Sequence, residues 1–310
     1  MAEWTTEQIH DLNGKIFLIT GANSGLGFES AKVLASKGGR VIMACRNLEK
    51  GGEAVRNIQR YTGGYKPDLR ELDLADLKSV ERFVAGIRKD YNRIDVLMNN
   101  AGIMATPYGK TKQGFEAQIG INHLGHFALT GMLFDRLANR PGSRIVNLSS
   151  IASRRGRMNF EDLMGEKRYR PMEAYRQTKL ANLLFTLELD RRIRDHGIGM
   201  MALAAHPGIA ATNLHKAVRA NETLKSLYEK IFLKLLPGAE QGARSQLYAA
   251  TSSDVVSGKY YGPSGWFEFS GSPGEAAIPL QALDQESATR LWAISEQLTG
   301  VRFDYSPSTG

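Results

Sequence analysis

A chain of 310 residues, 42% of them hydrophobic, is long enough to bury a sizeable core, as one large α/β domain or as two small ones. A single cysteine, Cys45, excludes an intrachain disulfide and gives no sign of an oxidising compartment. The net charge of +8 is spread along the chain without the basic stripe and interleaved aromatics of a nucleic-acid surface, so no nucleic acid is expected as a partner.

The opening MAEWTTEQIHDLNGK lacks the apolar core and cleavage site of a signal peptide, and no later segment has the ~20 apolar residues of a membrane span. A cytoplasmic location is therefore expected. Residues 15–20 form a continuous, partly β-branched apolar run behind Asn13-Gly14, which predicts a buried strand. From Leu26 the apolar residues recur at helical spacing (Ala31, Val33, Leu34) as far as Gly38-Gly39, which predicts a helix. Gly21, Gly25 and Gly27 fall in the turn between the two, together with Asn23, Ser24 and Leu26. Bare backbone N–H groups at such a strand-to-helix turn can hold a dinucleotide pyrophosphate. The alternative is an ordinary glycine-rich turn, since Gly-xxx-Gly-x-Gly is not the commoner Gly-x-Gly-x-x-Gly spacing.

Arg40–Cys45 (RVIMAC) predicts a second strand and Leu48–Tyr61 a helix stopped by Gly63-Gly64. In a dinucleotide fold the tip of this strand meets the adenosine ribose, and Arg46 stands there instead of an acid. A guanidinium fork pairs with a 2′-phosphate, which favours NADP(H) over NAD; a solvated turn residue is the alternative for Arg46. Residues 69–74 predict a third strand, with Asp73 and Leu74 over the adenine, although Asp73 also suits the cap of a helix over 77–91. A fourth strand, 95–98, runs into Asn99-Asn100-Ala101-Gly102, whose amides can bond neighbouring backbone or face a cofactor.

Residues 114–137 read as one long helical stretch around Asn122, a residue that suits a mid-helix position poorly. His123 and His126 lie three apart, but no third ligand accompanies them and no metal is expected. A fifth strand, 144–148, ends at Ser149-Ser150. An irregular stretch over 153–171, with a basic patch at Arg154, Arg155 and Arg157, delays the next helix, 172–196. That helix carries Tyr175 and Lys179 four residues apart and so on one face, as a working pair or as an exposed polar one. A sixth strand, 200–205, runs into His206-Pro207-Gly208. Residues 222–236 read as a cationic amphipathic helix, a surface element or a weak membrane-surface contact, and 210–236 as a lid over the site. A helix over 238–250, an aromatic-rich strand and loop (YYGPSGWFEFSGSP) and a closing helix over 283–298 complete the chain. No linker or repeat interrupts it, so residues 1–310 are expected to form a single domain, with 153–171, 209–237 and 262–273 on the substrate side.

Taken together, the glycine turn, NNAG, Asn122, Ser150, the Tyr175/Lys179 pair and HPG resemble the short-chain dehydrogenase/reductase family over about residues 14–215. RVIMACRN, GFEAQIGINHLGHF and the long insert between Ser150 and Tyr175 resemble its retinol-dehydrogenase-like group, with a second likeness to light-dependent protochlorophyllide reductases, whose longer insertion this chain lacks. The resemblance implies a doubly wound Rossmann-type α/β fold, a seven-stranded parallel sheet in order 3-2-1-4-5-6-7 with helices on both faces. It also implies roles. Tyr175 is the general acid, and Lys179 lowers the phenol's pKa from about 10 and reaches the nicotinamide ribose. Ser150 holds the substrate oxygen; it is preferred to Ser149 because Ile151-Ala152 follow it. Asn122 holds a water that relays the proton. The cofactor side comprises Gly21, Asn23, Ser24, Gly25, Leu26, Gly27, Arg46, Asp73, Leu74, Asn100, Ala101 and Gly102, with Pro207, Gly208, Ile209 and Thr212 at the nicotinamide. The function so implied is NADP(H)-dependent hydride transfer to or from an apolar carbonyl/alcohol (retinal-like, long aldehyde, steroid), in a homo-oligomer, dimer or tetramer. Two rivals are a non-catalytic NADP(H) sensor or scaffold, and an epimerase or dehydratase using the same Tyr-Lys pair, which the glycine spacing disfavours.

Overall fold

Apolar runs alternating with amphipathic ones give one sheet sandwiched between helices. The computed structural model describes residues 3–138, 140–208 and 238–305. Strands β1 (Ile16–Thr20), β2 (Arg40–Cys45), β3 (Asp68–Glu71), β4 (Val96–Asn99), β5 (Arg144–Leu148), β6 (Met201–Ala205), β7 (Tyr260–Pro263) and β8 (Pro273–Glu275) lie in the order 3-2-1-4-5-6-7-8. The first seven run parallel in register, Leu18 opposite Ile42 and Leu97, Asn99 opposite Asn147, Leu148 opposite Ala205. The seven-stranded expectation needs one correction: β8 adds an eighth strand, antiparallel to β7, pairing Tyr261 with Glu275 and Pro263 with Pro273. A three-residue Pro-Gly-Glu strand has neither apolar alternation nor β-branched residues by which to announce itself.

The continuous apolar character of β1 follows from burial on both faces. Phe17 and Ile19 face helices α1 (Gly25–Ser36) and α2 (Leu48–Tyr61), sharing a cluster with Val33, Leu34, Val55 and Ile58, whereas Leu18 joins Val80, Phe83 and Ile87 of α3 (Leu77–Asp90) on the other face. The stretch read as one long helix is broken into α4 (Ala117–Ile119), a π-helical turn (Gly120–Leu124), α5 (Gly125–Met132) and α6 (Phe134–Ala138). Next comes α7 (Pro171–Asp195), opened by a proline in its first turn, where the missing N–H costs nothing. Helix α8 (Ala239–Thr251) packs on α1, and α9 (Gln285–Thr299), capped by Asp284, packs on α7. Trp292 of α9 lies edge-on to Phe127 of α5 at 5.1 Å. Because the strands are parallel, the C-terminal ends of β1, β4, β5 and β6 open at one edge of the sheet, where this class of fold keeps its ligands.

Candidate active site

At the end of β1 the three glycines are required for three different reasons. Gly21 has φ +67 and donates its N–H to the Ala44 carbonyl at 2.8 Å. Gly27 lies so close to the turn that a Cβ would sit 2.5 Å from both the Gly21 carbonyl oxygen and Asn100 Nδ2. Gly25 has φ +56, with no atom of the described residues within 4 Å of the place its Cβ would take. The preceding Ser24 is exposed and extended and makes no capping hydrogen bond, so the N-terminus of α1 is left uncapped by side chains. Asn23 is half-buried, and Leu26 packs on Leu148. Asn100 donates Nδ2 to the Thr20 carbonyl at 2.8 Å, while its buried Oδ1 has no partner among the described residues. An uncapped helix start with open room above Gly25, beside a buried acceptor lacking a donor, fits the phosphates and hydroxyls of a dinucleotide.

Arg46 follows β2 and is exposed, with no hydrogen bond or ion pair among the described residues. Asp73 accepts the Ala75 N–H at 3.0 Å and donates its own N–H to Ser79 Oγ, which shapes the turn after β3. The cap of α3 is Asp76, not Asp73. Leu74 is buried, and its carbonyl oxygen lies 2.6 Å from where a Cβ on Gly125 would stand.

Beyond β4 the chain meets the π turn. Asn122 Oδ1 accepts the Ile103 N–H at 2.8 Å, and its Nδ2 donates to the Ile103 carbonyl at 2.9 Å and to Thr178 Oγ1 at 3.0 Å. Its amide therefore pins the segment after Ala101-Gly102 to α7. A Cβ on Gly102 would lie 3.2 Å from Asn122 Oδ1 and 3.6 Å from Lys179 Nζ, so these three groups converge. Lys179 is buried, donates Nζ to the Leu148 carbonyl at 2.9 Å and lies 5.7 Å from the centre of the Tyr175 ring. Burial brings its pKa down to about 8. Burial pushes the Tyr175 phenol up, against a hydrogen bond with Ser150 that pulls it down. The depression of this pKa expected from Lys179 does not appear: desolvation is opposed by Ser150 alone. Ser150 opens the 3-10 turn Ile151–Arg155, whereas Ser149 is spent on the Lys179 carbonyl at 2.7 Å.

Residues 15–223 match the short chain dehydrogenase family. The chain belongs to that family. It is 42% identical to human Retinol dehydrogenase 13 over 293 residues, covering 93% of this chain and 85% of that protein. To Retinol dehydrogenase 12 of Mus musculus it is 40% identical, over 94% and 88% of the two chains. An uncharacterized protein from Mycobacterium Paratuberculosis superposes with a TM-score of 0.82 at 43% identity, over 98% of this chain and all of that one. A short chain dehydrogenase from Escherichia coli CFT073 complexed with NADPH gives a TM-score of 0.56 at 25% identity, over 73% and 92%. As a short chain dehydrogenase of the retinol-dehydrogenase-like group, the protein is an oxidoreductase acting on CH–OH or C=O groups.

Other residues of this short chain dehydrogenase carry the site without a sequence signal of their own. Thr20 Oγ1 receives the N–H groups of Asn100 and Ala101, at 3.0 and 2.9 Å, and lies 2.9 Å from His126 Nε2; His126 Nδ1 lies 3.0 Å from the Asn122 carbonyl. A donating Nδ1–H and an accepting Nε2 satisfy both contacts, and burial keeps the ring neutral with a pKa near 4. A histidine that sequence spacing raised as a metal ligand thus joins the glycine turn to the π turn. His123 bonds Ser295 Oγ of α9 at 2.8 Å; among the described residues, no three His, Cys, Asp or Glu side chains converge for a metal. At the end of β6, Gly208 has φ +70 and follows Pro207; Ile209, Thr212 and the lid segment 210–236 lie outside the described residues. A cavity of about 370 Å³ opens in the 153–171 stretch between Arg155, Arg157, Tyr169 and Arg176, and neither Ser150 nor Tyr175 lines it.

Proposed function

We propose that the protein transfers hydride between NADP(H) and an apolar carbonyl/alcohol pair, a retinal-like or long-chain aldehyde or a steroid ketone, with Tyr175 as the proton donor. The observation that carries this reading is the meeting of Tyr175, Ser150, Lys179 and Asn122 at the edge of the sheet that also presents the uncapped start of α1. The names of the retinol dehydrogenases and the cofactors in the structural neighbours support it. When bound, NADPH supplies the hydride to the carbonyl carbon. Ser150 donates a hydrogen bond to the carbonyl oxygen and orients it. The Tyr175 hydroxyl gives its proton to that oxygen as negative charge develops, and a phenol kept protonated by burial is the form able to do so. Lys179 places a cation under the reacting oxygen and toward the ribose. Asn122 holds the 102–103 backbone in place, and a water held beside it would replenish the proton. Gly21, Asn23, Ser24, Gly25, Leu26 and Gly27 cradle the pyrophosphate, Arg46 the 2′-phosphate, and Asp73 and Leu74 the adenine, while Pro207, Gly208, Ile209 and Thr212 flank the nicotinamide. A homo-oligomer paired through the long helices and a cytoplasmic location complete the reading.

The test is a screen of the purified protein with NADPH and with NADH against retinal, long aldehydes, steroid ketones and quinones, following absorbance of the reduced nicotinamide. NADPH consumption with one of the apolar aldehydes or ketones is expected. NADPH binding with no consumption for any substrate points to the sensor instead.

A further inference from the structure

In the loop before β8 the ordinary arrangement of side chains is inverted. Trp266 and Phe267 are 80% and 58% exposed, while the carboxylate between Phe267 and Phe269 turns inward, its side chain only 18% exposed. Phe267 and Glu268 have φ of 50 and 59, a left-handed conformation that non-glycine residues keep only when their surroundings hold them. Glu268 is what is held. Its Oε2 lies 2.9 Å from His206 Nε2 and 2.6 Å from an Arg154 guanidinium nitrogen, and its Oε1 accepts the Ala277 N–H at 3.2 Å.

His206 is completely buried at the end of β6, and the Gly208 N–H donates to its Nδ1 at 3.1 Å. An imidazole that accepts at Nδ1 has its single proton on Nε2, which is the nitrogen facing Glu268. The ring has no room to turn: it lies against Tyr260, with ring centres 4.9 Å apart, and a Cβ on Gly262 would overlap Nε2. The Gly208 turn is equally confined, because a Cβ there would overlap the Phe269 carbonyl oxygen. Through Arg154 the same carboxylate reaches the 3-10 turn that Ser150 opens.

We infer that Glu268 is a positioning residue: it fixes the Nε2–H form of His206, so that Nδ1 holds the Gly208 N–H and the Pro207-Gly208 turn stays seated beside the reacting ring. The inference rests on the reading that this turn flanks the nicotinamide. Glu268 acts through His206 and Arg154. It joins three substrate-side pieces, the turn after Ser150, the turn after β6 and the aromatic loop, through one carboxylate.

The experiment uses the full-length protein labelled with ¹⁵N-histidine, a long-range proton–nitrogen spectrum to read tautomers, and His206→Gln to assign the signal. The wild type should show a protonated Nε2 and a bare Nδ1 at His206. Glu268→Ala should give mixed tautomers and lower kcat by about tenfold or more, the scale on which misplaced reacting groups act. Its Kd for NADPH should stay within about twofold of wild type, because the phosphates are gripped at the far end of the cofactor. Glu268→Gln, which still accepts the Nε2–H, should keep the tautomer and most of kcat. A wild-type His206 protonated at Nδ1, an unchanged kcat in Glu268→Ala, or equal losses in the Gln and Ala variants would overturn the role. Should the wild type turn over no substrate at all, the functional reading fails by itself, and the tautomer spectra of the three proteins still decide whether Glu268 holds His206.

Discussion

At the scale of single residues, the proposed function has Tyr175 and Lys179 divide the work between a proton and a charge. Tyr175→Phe removes only the hydroxyl, so NADPH affinity should stay within about twofold while kcat falls by about 10²-fold or more, the range of general acid catalysis. Single-turnover and binding measurements check this, and substantial activity in the variant would sink the general-acid role. Arg46 is exposed and makes no hydrogen bond or ion pair among the described residues, which makes it a clean probe of cofactor choice. Arg46→Ala should weaken NADPH by about 1.5–3 kcal/mol, the worth of a charged hydrogen-bonding contact, and leave NADH nearly unaffected. Equal weakening of both cofactors would show that Arg46 does not read the 2′-phosphate. The placement of Tyr175 on a helix face and of Arg46 at a strand tip was legible in the sequence, because such placement depends on spacing alone. Thr20, His126 and Glu268 were not: each acts through a partner 62 to 106 positions away, and no local pattern records such a distance.

Among the elements, the turn into α1 separates two demands that a run of glycines conceals. A Cβ on Gly27 would press to 2.5 Å on the Gly21 backbone, so Gly27→Ala should lower stability by about 1–3 kcal/mol, read as a fall in the urea midpoint. A Cβ on Gly25 meets no atom of the described residues, so Gly25→Ala should lose only about 1–2 kcal/mol for its left-handed backbone while blocking the phosphate and raising the Kd for NADPH steeply. If Gly25→Ala binds NADPH normally, the pyrophosphate does not lie there. The break in the helix at Asn122 was only half visible. An asparagine in mid-helix asks for a reason, and the reason is a π turn whose carbonyl is tied down by His126, which periodicity cannot distinguish from unbroken helix.

For the molecule as a whole, apolar runs alternating with helices made a sheet layered between helices legible and the strand order followed from the family resemblance, whereas β8 had no pattern to read. Three buried histidines make the fold sensitive to acid. Burial, with the His126 charge, brings His123 down to about 3; burial brings His126 to about 4 and also lowers His206. The unfolded chain then binds more protons than the native one below the ordinary histidine pKa of about 6.5, so the stability present above that pH is lost as pH falls toward the folded values. Between about pH 6 and pH 5 His123 and His126 should each contribute a slope of up to about 1.4 kcal/mol per pH unit. Urea titrations should show a slope shallower by about that amount in His123→Gln; an unaltered slope would mean that His123 does not titrate on unfolding.

Strand β8 also decides how copies of this protein can meet. A sheet edge is an open row of donors and acceptors on which a neighbour can continue the ladder. This edge is three residues long, opens on a proline without an N–H, and carries Glu275 bound to Lys259 of the adjoining chain segment at 2.7 Å. Running against β7, it ends the sheet like a hem, with little left for another strand to stitch to. Any assembly that this chain forms on that side must be sewn through side chains on its outer helices, and crowding or partial unfolding will find no ready seam there from which to grow a fibre.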